Sequence, residues 1–249
     1  MNDMNPAGSP VPPPIVPPRV SESANEIPDS TPVTGVVGAI ECLLRQPRRI
    51  MYHLRQPQAS TLIISLFFIA VVCALIYGAV VGTFAGGAQL WAGPVKVACG
   101  LVLSALICLP SLYIFSALSG SQARLVEVVG LIAGFLALSA VLLIGFAPVA
   151  WVFSQSTGSA SVMGALHLLF WFTATIFGLR FLYQGFTSLG SRNTIGLKVW
   201  MFIYLLVALQ MTTAVRPLLE KSNMFLPALT EKKFFLQHWG DNLREQRPN

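Results

Sequence analysis

Residues 61–82 read TLIISLFFIAVVCALIYGAVVG, 22 consecutive positions without a charged side chain. A helix crosses the hydrocarbon core of a bilayer in roughly 20 residues at 1.5 Å each. The stretch therefore predicts a transmembrane helix. Four further apolar blocks follow it, at 97–118, 125–153, 162–186 and 199–215. The third holds one acid, Glu127, near its start. The fourth holds Arg180 near its end. The fifth is short, about 17 residues, at the lower limit for a span; Gly196 and Leu197 can extend it. The expected fold is all-α, a polytopic transmembrane bundle of five helices over residues 59–217.

Composition agrees. Of 249 residues, 54% are apolar and only 10% charged. A soluble domain carries about 25% charged residues, so much of this chain must use lipid as its solvent. The net charge is +6. The basic residues lie between the apolar blocks, which fits membrane orientation and not nucleic acid. No nucleic-acid motif is present.

Residues 1–35 are polar and proline-rich, with Pro12, Pro13, Pro14, Pro17 and Pro18 close together. They predict a disordered tail, since proline donates to no ladder and little apolar area is available to bury. A polyproline II ligand for a partner is the alternative. No basic start leads into an apolar h-region, so no cleavable signal is expected.

Residues 36–58 combine a helical apolar periodicity with Arg45, Arg48, Arg49 and Arg55. They predict a basic amphipathic helix at the membrane surface, broken or kinked at Pro47. Each arginine is worth about 1 kcal/mol beside an anionic leaflet. A helix that binds a soluble partner is the alternative. Residues 218–249 form a polar tail whose FLPALTEKKFFLQHW segment, 225–239, reads as a second interfacial helix. The loops holding Arg124, Arg192 and Lys198 fall on the same side as the N-terminal arginines. By the positive-inside rule that side is cytoplasmic. Five spans then put the C-terminus on the far side; both termini inside would require an even number.

Within the spans, Gly78, Gly82 and Gly86 recur at four-residue spacing, as do Gly130 and Gly134. Such grooves let helices approach closely, inside the bundle or between copies of the chain. Pro110 and Pro148 predict kinks. Arg180 and Glu127 fall on one predicted side and form a candidate intramembrane ion pair. Arg180 can otherwise snorkel to the headgroups. His167 reads as a locally hydrogen-bonded side chain, and Gln210 as a bridge between helices. Arg216 and Pro217 anchor and end the last helix.

No paired carboxylates, nucleophile with an adjacent base, or phosphate-cradling loop is found. Cys42, Cys73, Cys99 and Cys108 have neither disulfide nor zinc spacing. No catalytic, cofactor or metal site is expected. The expected partners are the lipid bilayer and either subunits of a membrane complex or further copies of this chain.

The motifs CLPSLYIFSALSG (108–120), FAPVAWVFSQST (146–157), GLRFL (178–182) and ALQMTTAVRPLL (208–219) resemble, in that order, a bacterial multi-pass membrane family of unknown function. The resemblance covers about residues 95–220. It departs where Arg180 stands in place of a small residue, and it brings no active site. In overall plan the chain also resembles Yip1-domain membrane proteins, which have a polar cytoplasmic N-terminus and five helices. These resemblances imply a bacterial inner membrane and a role in organising membranes or recruiting partners. A small transporter or channel component, using the proline-broken helices and the Arg180/Glu127 pair, is the alternative.

Overall fold

The computed structural model describes residues 35–57, 59–87, 89–157, 160–191 and 194–214, and among these every regular element is a helix. In chain order they are α1 (Gly35–Arg45), α2 (Pro47–His53), α3 (Ala59–Ala85), α4 (Gln89–Leu118), α5 (Leu125–Ser156), α6 (Ala160–Ser188) and α7 (Ile195–Ala214). The readings of the proline-rich tail, of Arg192, of Arg216 and Pro217, and of the C-terminal helix lie outside the described residues.

Four helices, α3 to α6, are long and apolar enough to cross a membrane, as a membrane-embedded protein requires. The apolar part of α7, Ile195–Gln210, is shorter. The break expected at Pro47 is present. Gln46 leaves the helical region (φ −134°, ψ 63°), and Pro47 opens α2 near its first position, where its missing N–H goes unused.

One boundary differs from the sequence reading. Helix α4 begins at Gln89, eight positions before Val97, and its candidate span, from Leu90, runs through Pro94 and Lys96. The reason is close packing. A Cβ built on Gly93 would lie 2.8 Å from the Gly78 carbonyl oxygen and 3.2 Å from the Gly82 Cα. Backbone meets backbone there, and that contact draws the start of α4 onto the end of α3.

The bundle is organised around α5. Its residues from Gly130 to Ala140 are all buried, enclosed by side chains of its neighbours. Three interlocks fix its antiparallel register with α6. Phe181 presses on Gly134, Phe135 and Ser139 press on Gly178, and Leu131 presses on Gly185. Between apolar helices in lipid, association rests on such van der Waals fit, because burial from lipid gives no hydrophobic gain. α7 is held on the other flank by aromatic residues. Trp200 and Tyr204 are stacked with centroids 5.5 Å apart, and Tyr204 meets Phe135 edge-on at 5.0 Å.

The two ends of the bundle differ. Arg45, Arg48, Arg55, Arg124 and Lys198 are exposed at the end where α3, α5 and α7 begin. Trp91 and Trp151 are exposed at the opposite end. At the basic end, α4 and α6 close alike: Gly120 (φ 74°) and Gly190 (φ 82°) turn the chain. The N–H of Ser121 then bonds the Ser116 carbonyl at 3.2 Å, and that of Ser191 bonds the Phe186 carbonyl at 3.3 Å. Both are six-residue C-cap closures that satisfy carbonyls left over by the helix.

Candidate functional site

The helix pair α1–α2 docks on the basic end of the bundle. Ala39, Cys42 and Leu43 of α1, with Ile50, Met51 and Leu54 around α2, are buried in the same core as α3 and α5. Leu54 fills the space over Gly130. Much of the apolar surface that the sequence assigns to lipid is thus occupied by protein, while Val36, Val37 and Leu44 stay exposed, and the arginines project from its other sides.

A polar clasp joins this pair to α6. Arg55 donates from Nη2 to the carbonyl of Ser188, the last residue of α6. The Ser188 hydroxyl lies 3.8 Å from the Met51 sulfur. A cation at a helix C-terminus meets both an orphan carbonyl and the negative end of the dipole. Of the other arginines, Arg45 pairs with Glu41 at 3.4 Å, and Arg49 contacts the Gln46 side chain at 3.5 Å. Burial pushes the Cys42 thiol above its ordinary range, and the nearby Arg49 charge offsets this only in part.

The Arg180–Glu127 pair does not form. Leu131 sits on Gly185, so Glu127 lies level with Leu189, and both line one small cleft with Arg55. Arg180 is nine residues from Leu189, about 13 Å along the axis. The Glu127 carboxylate is used locally, accepting the Arg124 backbone N–H at 2.8 Å. It caps α5, where a negative charge suits the helix N-terminus. Arg180 is exposed on the outward face of α6.

The glycines divide. Gly78 and Gly82 pack against Gly93–Pro94 of α4, Gly130 receives Leu54, and Gly134 receives Phe181. All four serve contacts within the chain. Gly86 does not pack: it lies past the end of α3 with φ 67° and nothing within 4 Å of a built Cβ. Its N–H closes on the Gly82 carbonyl at 3.0 Å, so it is a C-cap. Pro110 and Pro148 are exposed, and α4 and α5 remain helical through them. Next to Pro110, Trp200 Nε1 donates to the Cys108 carbonyl at 3.1 Å and the Ser111 hydroxyl at 3.0 Å, which ties α7 to the proline-bearing turn.

A second polar group lies deep in the other half of the bundle. The Tyr77 hydroxyl and His167 Nδ1 are 2.8 Å apart, linking α3 to α6. His167 Nε2 is buried and meets no hydrogen-bond partner among the described residues. Lys96 is buried within α4, 3% exposed. The Gly78–Pro94 contact places Lys96 and Tyr77 within about one turn of each other along the axis. Ionisable side chains inside a membrane span are costly, which makes these positions candidates for function.

Sequence reading placed Lys96 outside the second span. The signal was there: Ala92, Lys96, Gly100, Ser104, Cys108, Leu112 and Ser116 recur every four residues, and all but the half-buried Gly100 are buried. Gly178 and Gly185 also escaped, being seven apart and not four. Among the described residues no cluster of His, Cys, Asp or Glu could hold a metal ion.

Comparison with known proteins finds no match among family models, curated proteins or solved structures.

Proposed function

We propose that this chain is a non-enzymatic multi-pass membrane protein that organises a membrane or recruits partners to it. In this reading α7 is a fifth span, the basic end faces the cytoplasm, and the polar N-terminal region is displayed there. The observation that carries it is the docking of α1–α2. A segment meant only to tether would not need six side chains in the core and a clasp to α6. Held in this way, the pair fixes where the preceding residues leave the bundle, which a presenting platform requires. The exposed arginines at that end and exposed tryptophans at the other support the orientation. A bacterial inner membrane and a Yip1-like plan rest on the sequence resemblance alone.

The test has two parts. Reporters fused in each loop and after Asn249 should give N-in and C-out. Deletion of residues 1–34, which spares the helix pair, should leave insertion and thermal stability intact while partners retained by the full chain are lost. If the shortened chain keeps the same partners, the platform reading is wrong.

A second reading, a small transport component, is favoured by the buried Lys96 and the Tyr77–His167 pair. Its original basis in Arg180/Glu127 is gone, since those side chains stand apart. It requires that His167→Ala and Lys96→Met change proton or solute flux in proteoliposomes. Flux unaltered by both removes it.

A further inference from the structure

Arg180, Gln184 and Thr187 recur at i, i+4 and i+7 and are all exposed, so they form one polar stripe along α6. The stripe faces away from the bundle, because Gly178, Phe181, Leu182, Gly185 and Phe186 turn inward and are buried. Ile176 and Phe177 continue the same face deeper in the span and are exposed and apolar. If α6 crosses the membrane, this stripe runs through its lipid-facing surface from the basic end toward the middle.

Arg180 stands eight residues before Ser188, about 12 Å from the end of the helix. A lipid-facing arginine ordinarily reaches the interface by snorkelling. Here the geometry opposes it. Cα–Cβ bonds tilt toward a helix's N-terminus, while the nearer interface for Arg180 is at the C-terminus. Its side chain therefore sets out toward the bilayer midplane and must fold back to reach water.

The described residues do not supply a counter-charge. Among the described residues there are two carboxylates. Glu41 is paired with Arg45, and Glu127 caps α5. Arg180 meets no hydrogen-bond or ion-pair partner among them. Two further positive charges, Arg48 of α2 and Arg55 just beyond it, stand at the same end of α6, where Arg55 clasps Ser188.

We propose that the Arg180–Gln184–Thr187 stripe is a binding site for the phosphate of an anionic phospholipid. The guanidinium forks onto two phosphate oxygens. Gln184 donates nearer the surface, beside Thr187, whose hydroxyl is held on the Gln184 carbonyl at 2.9 Å, and the acyl chains lie along Ile176 and Phe177. A phosphate drawn to this depth neutralises the charge without the fold-back that snorkelling needs, and the basic end supplies the field that gathers anionic lipid. The proposal rests on α6 being a membrane span but not on the partner-recruiting role.

The test uses full-length protein purified in mild detergent and titrated with phosphatidylglycerol or phosphatidylcholine. Bound lipid is counted by native mass spectrometry. Wild type should retain phosphatidylglycerol in preference to phosphatidylcholine. Arg180→Leu should weaken that preference about tenfold, Arg180→Lys should be intermediate, and Gln184→Leu should weaken it less. Lys198→Leu removes the same unit charge elsewhere and should change it less than twofold. Equal retention by wild type and Arg180→Leu overturns the site, as does an equal loss in Lys198→Leu, which would mean general surface attraction. Release of the lipid by millimolar glycerol phosphate overturns the lipid assignment in favour of a free phosphate. Loss of a dimer or co-purifying chain in Arg180→Leu, with lipid retention unchanged, assigns the stripe to a protein contact instead. Release of the protein from membranes by alkaline carbonate would remove the premise that α6 spans, separately from all of these.

Discussion

Arg55 and Ser188 are 133 positions apart in sequence, yet the guanidinium of the first bonds the carbonyl of the second. This contact joins the helix pair at the start of the described chain to the end of α6. Arg55→Ala removes a charge-assisted hydrogen bond at an exposed site and should cost about 1 kcal/mol. Arg55→Lys should recover part of it. Thermal unfolding in detergent measures the loss, and trypsin cutting after Arg48 or Arg49 should become faster as the pair loosens. Unchanged stability together with unchanged cutting would mean that apolar docking alone holds the pair.

The α3–α4 crossing should be the least tolerant glycine contact. A Cβ on Gly78 would lie 2.6 Å from the Pro94 Cα, and backbone cannot step aside as a side chain can. Gly78→Ala should destabilise by about 1–3 kcal/mol. Gly145→Ala is the comparison, since nothing lies within 4 Å of its built Cβ and it sits inside α5. That change should be neutral or stabilise by up to about 1 kcal/mol through helix propensity. Equal effects would show that the two helices do not meet as described.

Tyr77 and His167 should be energetically coupled. Tyr77→Phe removes the hydroxyl while keeping the ring that packs edge-on against the imidazole at 5.8 Å. A double-mutant cycle with His167→Leu should give a coupling of about 0.6 kcal/mol, the typical value for hydrogen bonds between membrane helices. A coupling of zero in unfolding experiments would place the two side chains apart.

Cys42 should react slowly with thiol reagents. It is 5% exposed, and burial raises its pKa. Since the thiolate is the nucleophile, its labelling rate by maleimide should keep rising at alkaline pH after an ordinary exposed cysteine has levelled off. Arg49→Leu removes the nearby positive charge and should slow labelling further at any given pH. Rapid labelling at neutral pH would mean that α1 is not docked.

The positions of the long helices were legible in the sequence because lipid imposes a simple requirement, an uninterrupted apolar run. Residues 61–82 meet it, and α3 forms around them. The interior of the bundle was less legible. Whether a glycine packs depends on what stands opposite, so Gly78 and Gly86, eight residues apart in one motif, part company at the helix end. The Arg180/Glu127 pairing failed for a related reason. Sequence put both near one end of the bundle, but the α5–α6 register leaves them about 13 Å apart, and Glu127 had a nearer use for its charge at the start of α5. Lys96 escapes because an apolar run is read from the last charge onward, whereas helix α4 extends past it on both sides.

The enclosure of α5 also bears on what can pass through this protein. In many transport proteins the middle of the bundle is where helices part and water enters. Here the middle is solid, a continuous helix wedged on every side between Gly130 and Ala140. A solute moving through a single copy could not travel along the axis at that depth; it would have to move along the outer faces of the bundle.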